Sequence, residues 1–213
     1  MLVVSAKGRR SALGLFAVLV YLIFGQIFAP GFTHYWGFHL AQTLAILATV
    51  LALETLLLPE GGLSWPTHLL TVVVTAADTL GTAGDLYHSF DLYDKIIHFS
   101  SGATVAAISY DILTAMHRRQ RLSLGSGVRL ALAVAASFIL AGLGWEAYEH
   151  YGDVIFSTDR VQSRVDTIHD LISNVCGSIL AASVLWVREA AVRAPATDLS
   201  RVSMDRVREQ RKG

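Results

Sequence analysis

Apolar residues occur in long blocks instead of alternating with polar ones. Residues 12–29 form an almost unbroken run of 18. As a helix it measures about 27 Å, close to the thickness of bilayer hydrocarbon. Five further runs follow at 38–58, 68–86, 96–116, 128–148 and 167–187. Breakers or basic connectors separate them: Pro59-Glu60-Gly61-Gly62 ends the second and Pro66 precedes the third. No repeat or heptad is evident. The pattern predicts an all-α, polytopic membrane helical bundle of about six transmembrane helices, forming one domain over residues 1–187. The third run is the weakest because Asp78 and Asp85 lie in it, and a charge within a span is expected to face the bundle interior. Lys7, Arg9 and Arg10 before the first run could also open a signal peptide. The length of the run, and the lack of a small-x-small site after Phe28, favour an uncleaved anchor.

Composition points the same way. The 213 residues are 53% hydrophobic and 16% charged, with a mean hydropathy of +0.49. Lys plus Arg and Asp plus Glu both total 17, so no basic nucleic-acid-binding surface is expected. Position carries the information instead. Fourteen of the 17 basic residues lie before the first run, around the 118–129 connector or after Val187. With six spans these all fall on one side, which the positive-inside rule makes the cytoplasm. Both termini are thus expected there, with residues 188–213 as a basic tail, solvated or near anionic lipid. Lys95, Arg160 and Arg164 are left outside. A single cysteine, Cys176, excludes an internal disulfide or a cysteine-built metal cluster, and its apolar setting predicts buried packing.

The same topology brings several polar helix ends to the outer side. Asp94 and His98 share a face, as do Glu146 with Glu149, and Asp166 with Asp170 and Asn174; Lys95, His150 and His169 lie alongside. Buried carboxylates at a bilayer edge need pairing, protonation or a cation. Three readings follow: a structural network answered by Lys95, the histidines and Arg164; a divalent-metal or acid–base site; or a proton or ion path continued inward by Asp78 and Asp85. In the second, Asp94, His98, Glu146, Glu149 and Asp170 are the candidate catalytic groups, and Asp94, His98, Glu146, Asp166, His169 and Asp170 the candidate ligands of a divalent metal ion. Lys95, Arg164 and Asn174 would bind substrate, with Lys95 or Arg164 holding an anionic headgroup.

Other polar residues have ordinary roles to fill. His34, His39, Gln42 and His88 are expected to reach headgroups. Glu54 and Asp111 are expected to snorkel or to pair with Arg118 or Arg119. Asp78 is the better candidate for a buried partner. Gly102, Gly142, Gly144 and Gly177 suit close helix approach, and Trp36, Tyr87, Tyr93, Trp145 and Tyr151 suit an interfacial belt.

Tyr93-Asp94-Lys95 with His98-Phe99 and Gly102, then Trp145-Glu146 with Glu149, then Asp166-Thr167 with Asp170, Asn174 and Gly177, resembles the YjdF-like (DUF2238-type) integral membrane proteins of bacteria and archaea. It is also similar to VanZ-like proteins, with their Asp-Lys-x-x-His and Asp-x-x-x-Asn-x-x-Gly segments. The likeness covers residues 78–177 or so. Two positions depart: Glu149 stands where VanZ-like proteins have Gln, and Lys95 where the YjdF-like pattern has Arg. The resemblance implies a small multi-helix protein of the cytoplasmic membrane, in bilayer contact. VanZ-like members are linked to glycopeptide resistance. No hydrolase elbow, zincin motif, phosphate loop or dinucleotide fingerprint occurs. Histidines set among carboxylates suit a hard cation better than haem. The resulting expectation is an outward-facing pocket acting on a lipid or envelope precursor, against a small carrier or a structural or partner-binding protein.

Overall fold

The computed structural model describes residues 5–28, 35–57, 62–90, 92–161 and 163–193. Among them the chain is helical and has no strand. The elements are α1 (Ala6–Phe28), α2 (Trp36–Ala52) running into a π-helical turn (Leu53–Leu57), α3 (Trp65–Ala83), the one-turn α4 (Leu86–Ser89), α5 (Tyr93–Arg118), α6 (Ser126–Ser137), a π-helical segment (Phe138–Leu143), α7 (Gly144–Phe156) and α8 (Arg164–Arg193). All six predicted runs are helical, with ends displaced by a few residues. The fifth extends to Phe156, and the last passes Val187 to Arg193. His34 and residues 194–213 lie outside the described residues.

Among the described residues five helical stretches are long and apolar enough to cross a membrane: Ala6–Phe28, Trp36–Thr55, Tyr93–Arg118, Ser126–Phe156 and Arg164–Ala191. The third run does not qualify, for a visible reason. Along α3, Thr67, Thr71, Thr75 and Thr79 form an i, i+4 stripe that is buried with His68 and Asp78. Thr71, Thr75 and Thr79 each donate to the carbonyl four residues back, at 2.8, 2.7 and 3.0 Å, so the hydroxyls are satisfied within the helix. Pro66 lies inside the first turn of α3 rather than before it, where its missing N–H costs nothing.

α5 is the hub, packed on α8, α6 and α3, while α1 packs on α2 and α3 and the start of α2 meets α7. The long helices alternate in direction. One end of the bundle therefore gathers the starts of α2, α5 and α8 with the ends of α3 and α7. Glycine sets the central contact. A Cβ on Gly102 would overlap the backbone of Asn174, and one on Gly177 the backbone of Phe99, so α5 and α8 cross backbone to backbone. Ser137 donates to the Gly102 carbonyl at 2.8 Å, and Ser178 lies 2.7 Å from Ser137, tying α6 into the same crossing.

Large apolar side chains such as Phe16, Val73, Leu140, Val184 and Trp186 face outward, as they must in a bilayer. Cys176 joins them: it is exposed, contrary to the expected buried packing, because Asn174, Gly177 and Ser178 occupy the inward face of that turn.

Candidate functional site

At the gathered end, Lys95 on α5 carries three carboxylates. Its Nζ donates to Asp94 at 2.8 Å and to Asp166 and Asp170, both on α8, at 2.6 Å each. One helical turn deeper lies His98, only 2% exposed. Its Nε2 faces Asp94 at 3.4 Å and Asp170 at 3.7 Å. Its Nδ1 meets the Asn174 amide nitrogen at 3.0 Å. Asn174 Nδ2 also reaches the Asp170 carbonyl at 3.1 Å, in keeping with the amide orientation seen in the structure, nitrogen toward the imidazole. Nδ1 is then an acceptor, and the ring proton sits on Nε2, aimed at the carboxylates.

Glu146 and Glu149 approach from α7. The π-helical segment before them holds one extra residue, turning everything that follows by about 100° relative to α6. Gly144 permits the bulge: a Cβ there would come within 3.3 Å of the Ile139 carbonyl. Asp94, His98 and Asp170 place one ligand atom each within 4.8 Å of one another, and so do His98, Glu146 and Glu149. His98 is common to both sets. Glu146 Oε1 and Asn174 Oδ1 are buried without a hydrogen bond.

A second layer adjoins this one and was not anticipated from the sequence. Arg160, in the α7–α8 connection, has its side chain buried. It donates from Nε to Glu149 at 2.8 Å and from Nη2 to Asp78 at 3.3 Å. Its guanidinium lies 4.7 Å from the Tyr87 ring centre and 5.1 Å from that of Phe38. Asp153 holds the loop that inserts it, accepting from the backbone N–H of Arg160 at 3.0 Å and of Val161 at 3.1 Å. Burial alone would lower the Arg160 pKa, but the charges of Asp78 and Glu149 raise it well above the ordinary value, so it is always a cation. Burial, then the Asp78 charge, pushes the Tyr87 phenol far up, keeping it a donor to Asp78. The signal for Arg160 was its isolation as one of three basic residues on the sparse side of the charge distribution.

Several expectations change. His39 and Gln42 do not reach headgroups. Both are buried, with His39 Nε2 2.8 Å from Thr82 and Nδ1 3.4 Å from Asp78. His88 is exposed beside Asp85 at 2.8 Å. Tyr87 and Tyr93 turn inward, the latter donating to the Ala77 carbonyl at 2.6 Å. His169 and Arg164 are exposed, His169 one position off the inward stripe of α8 and Arg164 two before its first member Asp166, and neither joins a ligand set or an ion pair among the described residues. His150 is exposed against Tyr151. Lys95 is saturated by carboxylates, so an anionic headgroup finds no open cation in it.

Glu54 and Asp111 do not pair with Arg118 or Arg119. Glu54 is buried at the opposite end, accepting from Leu63 N–H at 2.6 Å and lying 3.1 Å from His68 Nε2, while His68 Nδ1 meets Ser11. This places hydroxyl, imidazole and carboxylate in line. Ser11 is only 2% exposed, however, which leaves a substrate no approach, and the chain serves as a buried strut. Asp111 accepts from Ser64 N–H and Thr67 at 2.8 and 2.7 Å, capping α3.

Two cavities flank the Asp78–Arg160 pair. A polar one of about 100 Å³ opens outward between Tyr35, Thr82, Tyr87, Asp94, Glu149 and Arg160. The other, of about 260 Å³, lies deeper between α2, α3, α5 and the π-helical segment before α7; among the described residues Asp78 is the only ionisable one lining it.

No curated protein and no solved structure matches the chain. A family model described as "Predicted membrane protein (DUF2238)" matches residues 11–191, which include every helix that builds the site. The chain belongs to this family of membrane proteins.

Proposed function

We propose that the gathered end is an acid–base centre that takes up one divalent cation and acts on a lipid or envelope precursor delivered through the membrane. Six spans with cytoplasmic termini would place it at the outer face of the cytoplasmic membrane, a topology supported by the alternating helix directions and the basic-residue bias. The observation that carries the proposal is the charge balance around His98. Six carboxylates (Asp78, Asp94, Glu146, Glu149, Asp166 and Asp170) face two basic side chains, Lys95 and Arg160. Excess negative charge in a low-dielectric site is relieved by protons or by a cation with oxygen and imidazole ligands.

The Asn174 amide supplies the switch between these states. With nitrogen toward His98, Nε2 holds a proton for transfer to or from a carboxylate. With the amide turned over, which gives up its hydrogen bond to the Asp170 carbonyl, its oxygen would accept from Nδ1–H and Nε2 would become a ligand. Asp94, Asp170 and Glu149 would complete the ligand set, leaving Glu146 to exchange a proton with substrate.

Manganese binding to the purified protein, followed by electron paramagnetic resonance, tests this. One bound ion per chain is expected, reduced at least 10-fold in affinity by His98→Gln and by Asp170→Asn, in line with the loss of a ligand or its support. Asp85→Asn, at the exposed His88 pair, should leave it unchanged. A wild-type protein that binds neither manganese nor zinc would refute the cation.

A further inference from the structure

The deeper cavity has one polar end and an open side. Gln42, Asp78 and Trp145 lie at the level of the site, while Val50, Leu53, Val105 and Ile108 extend the wall toward the opposite end. Ala45 and Thr49 on α2 and Leu140 on the π-helical segment line it and are themselves exposed, so it opens sideways onto the bilayer. The gap has a simple cause. α2 packs on α1 along its length and on α7 at its start, with Phe38 against Tyr148 at 4.5 Å between ring centres, and stands off from α5 between.

An apolar cavity open to hydrocarbon does not stay empty, because its walls forfeit dispersion contacts that a chain restores. An apolar cavity of roughly 150 Å³ already accepts a benzene-sized guest, and this one, of about 260 Å³, has room for more. At its polar end Asp78 is 1% exposed and its Oδ2 makes no hydrogen bond, lying 3.4 Å from His39. Trp145 lines the cavity, while its neighbour Glu146 belongs to the His98 ligand set.

We infer that this cavity holds one hydrocarbon chain of a membrane lipid, entering between α2 and the π-helical segment, and presents a non-anionic head with a hydrogen-bond donor to Asp78 and the neighbouring site. The inference rests on the acid–base reading of that site and names its substrate class: a lipid with a hydroxyl or ammonium head. An anionic head is disfavoured because Arg160 and Lys95 are already engaged by carboxylates and the bare acceptor is itself an acid.

The test uses the full chain with Trp36, Trp65 and Trp186 changed to Phe, reconstituted in phosphatidylcholine nanodiscs. A monoacylglycerol with a brominated chain is titrated in, and Trp145 fluorescence is read. Quenching that saturates, above the linear collisional rise, is expected. Ala141→Phe, which fills the cavity, and Ala45→Phe, which plugs its mouth with less strain, should both remove the saturable part. Manganese binding should survive in Ala45→Phe, separating loss of the chain site from loss of the cation. Linear quenching alone would overturn the inference. So would equal saturable quenching by a brominated lysophosphatidic acid, or a dimer whose partner blocks the cavity mouth.

Discussion

Replacing Lys95 by Met is expected to cost about 3 kcal/mol, the lower end of the range for removing one partner of a buried ionic group. The ammonium is the shared partner of Asp94, Asp166 and Asp170, and Asp170 is almost fully buried. The lower end applies because the Lys95 side chain keeps 22% exposure, and water screens part of the loss. In a chain of this size that corresponds to a fall on the order of 10 °C in thermal unfolding in mild detergent. A purely additive surface contact would lose far less. Two further variants identify the cause: Lys95→Met with Asp170→Asn should recover part of the loss by removing a stranded negative charge, and Lys95→Arg should retain most of the stability. Equal destabilisation by the single and double variants would mean that Lys95 contributes packing and not charge.

The second large effect is at the helix crossing. Gly177→Val is expected to cost about 3 kcal/mol or to prevent folding, since its Cβ alone would overlap the Phe99 carbonyl and come within 3.2 Å of the Ala103 nitrogen. Backbone cannot rotate aside as a side chain can, so α8 must leave α5. Asp166, Asp170 and Asn174 are carried on α8 and would move away from Lys95 and His98. Gly177→Ala should give a milder version in which manganese affinity falls with stability. Gly125→Ala is the control, because no atom lies within 4 Å of its would-be Cβ. Unchanged unfolding temperature in Gly177→Val would show that the two helices are not in backbone contact.

How much of this could be read beforehand depended on what periodicity encodes. Asp94 with His98, Glu146 with Glu149, and Asp166 with Asp170 and Asn174 were legible because i, i+3 and i, i+4 spacing fixes a common helical face. Gly102 and Gly177 were legible as close-approach points. The choice within a stripe was harder. His169 and Asp170 are neighbours, and only the rotation of α8 about its axis, set by the Gly177 contact, decides that Asp170 turns inward. Arg160 was hidden because it sits in a connection, where no repeat reports direction; its burial depends on Asp153 folding the loop back. The π-helical segment before Glu146 was equally silent, since one extra residue leaves a hydrophobic run looking continuous. The third helix reads weakly for the opposite reason. Its threonine hydroxyls are answered by its own carbonyls, a compensation that hydropathy does not count.

One covalent measurement addresses the convergence of α5 and α8 at a single site. A carbodiimide joins an amine to a carboxylate only when the two are in contact, adding no spacer. Lys95 and Asp166 are 2.6 Å apart and both partly accessible, though 71 residues separate them in sequence. Treating the membrane-embedded protein and sequencing its peptides by mass spectrometry should yield an amide between Lys95 and Asp166 or Asp170, absent in Lys95→Met. Links from Lys95 to Asp94 alone, or to carboxylates at the opposite end of the bundle, would contradict the shared site and leave the three polar stripes unconnected.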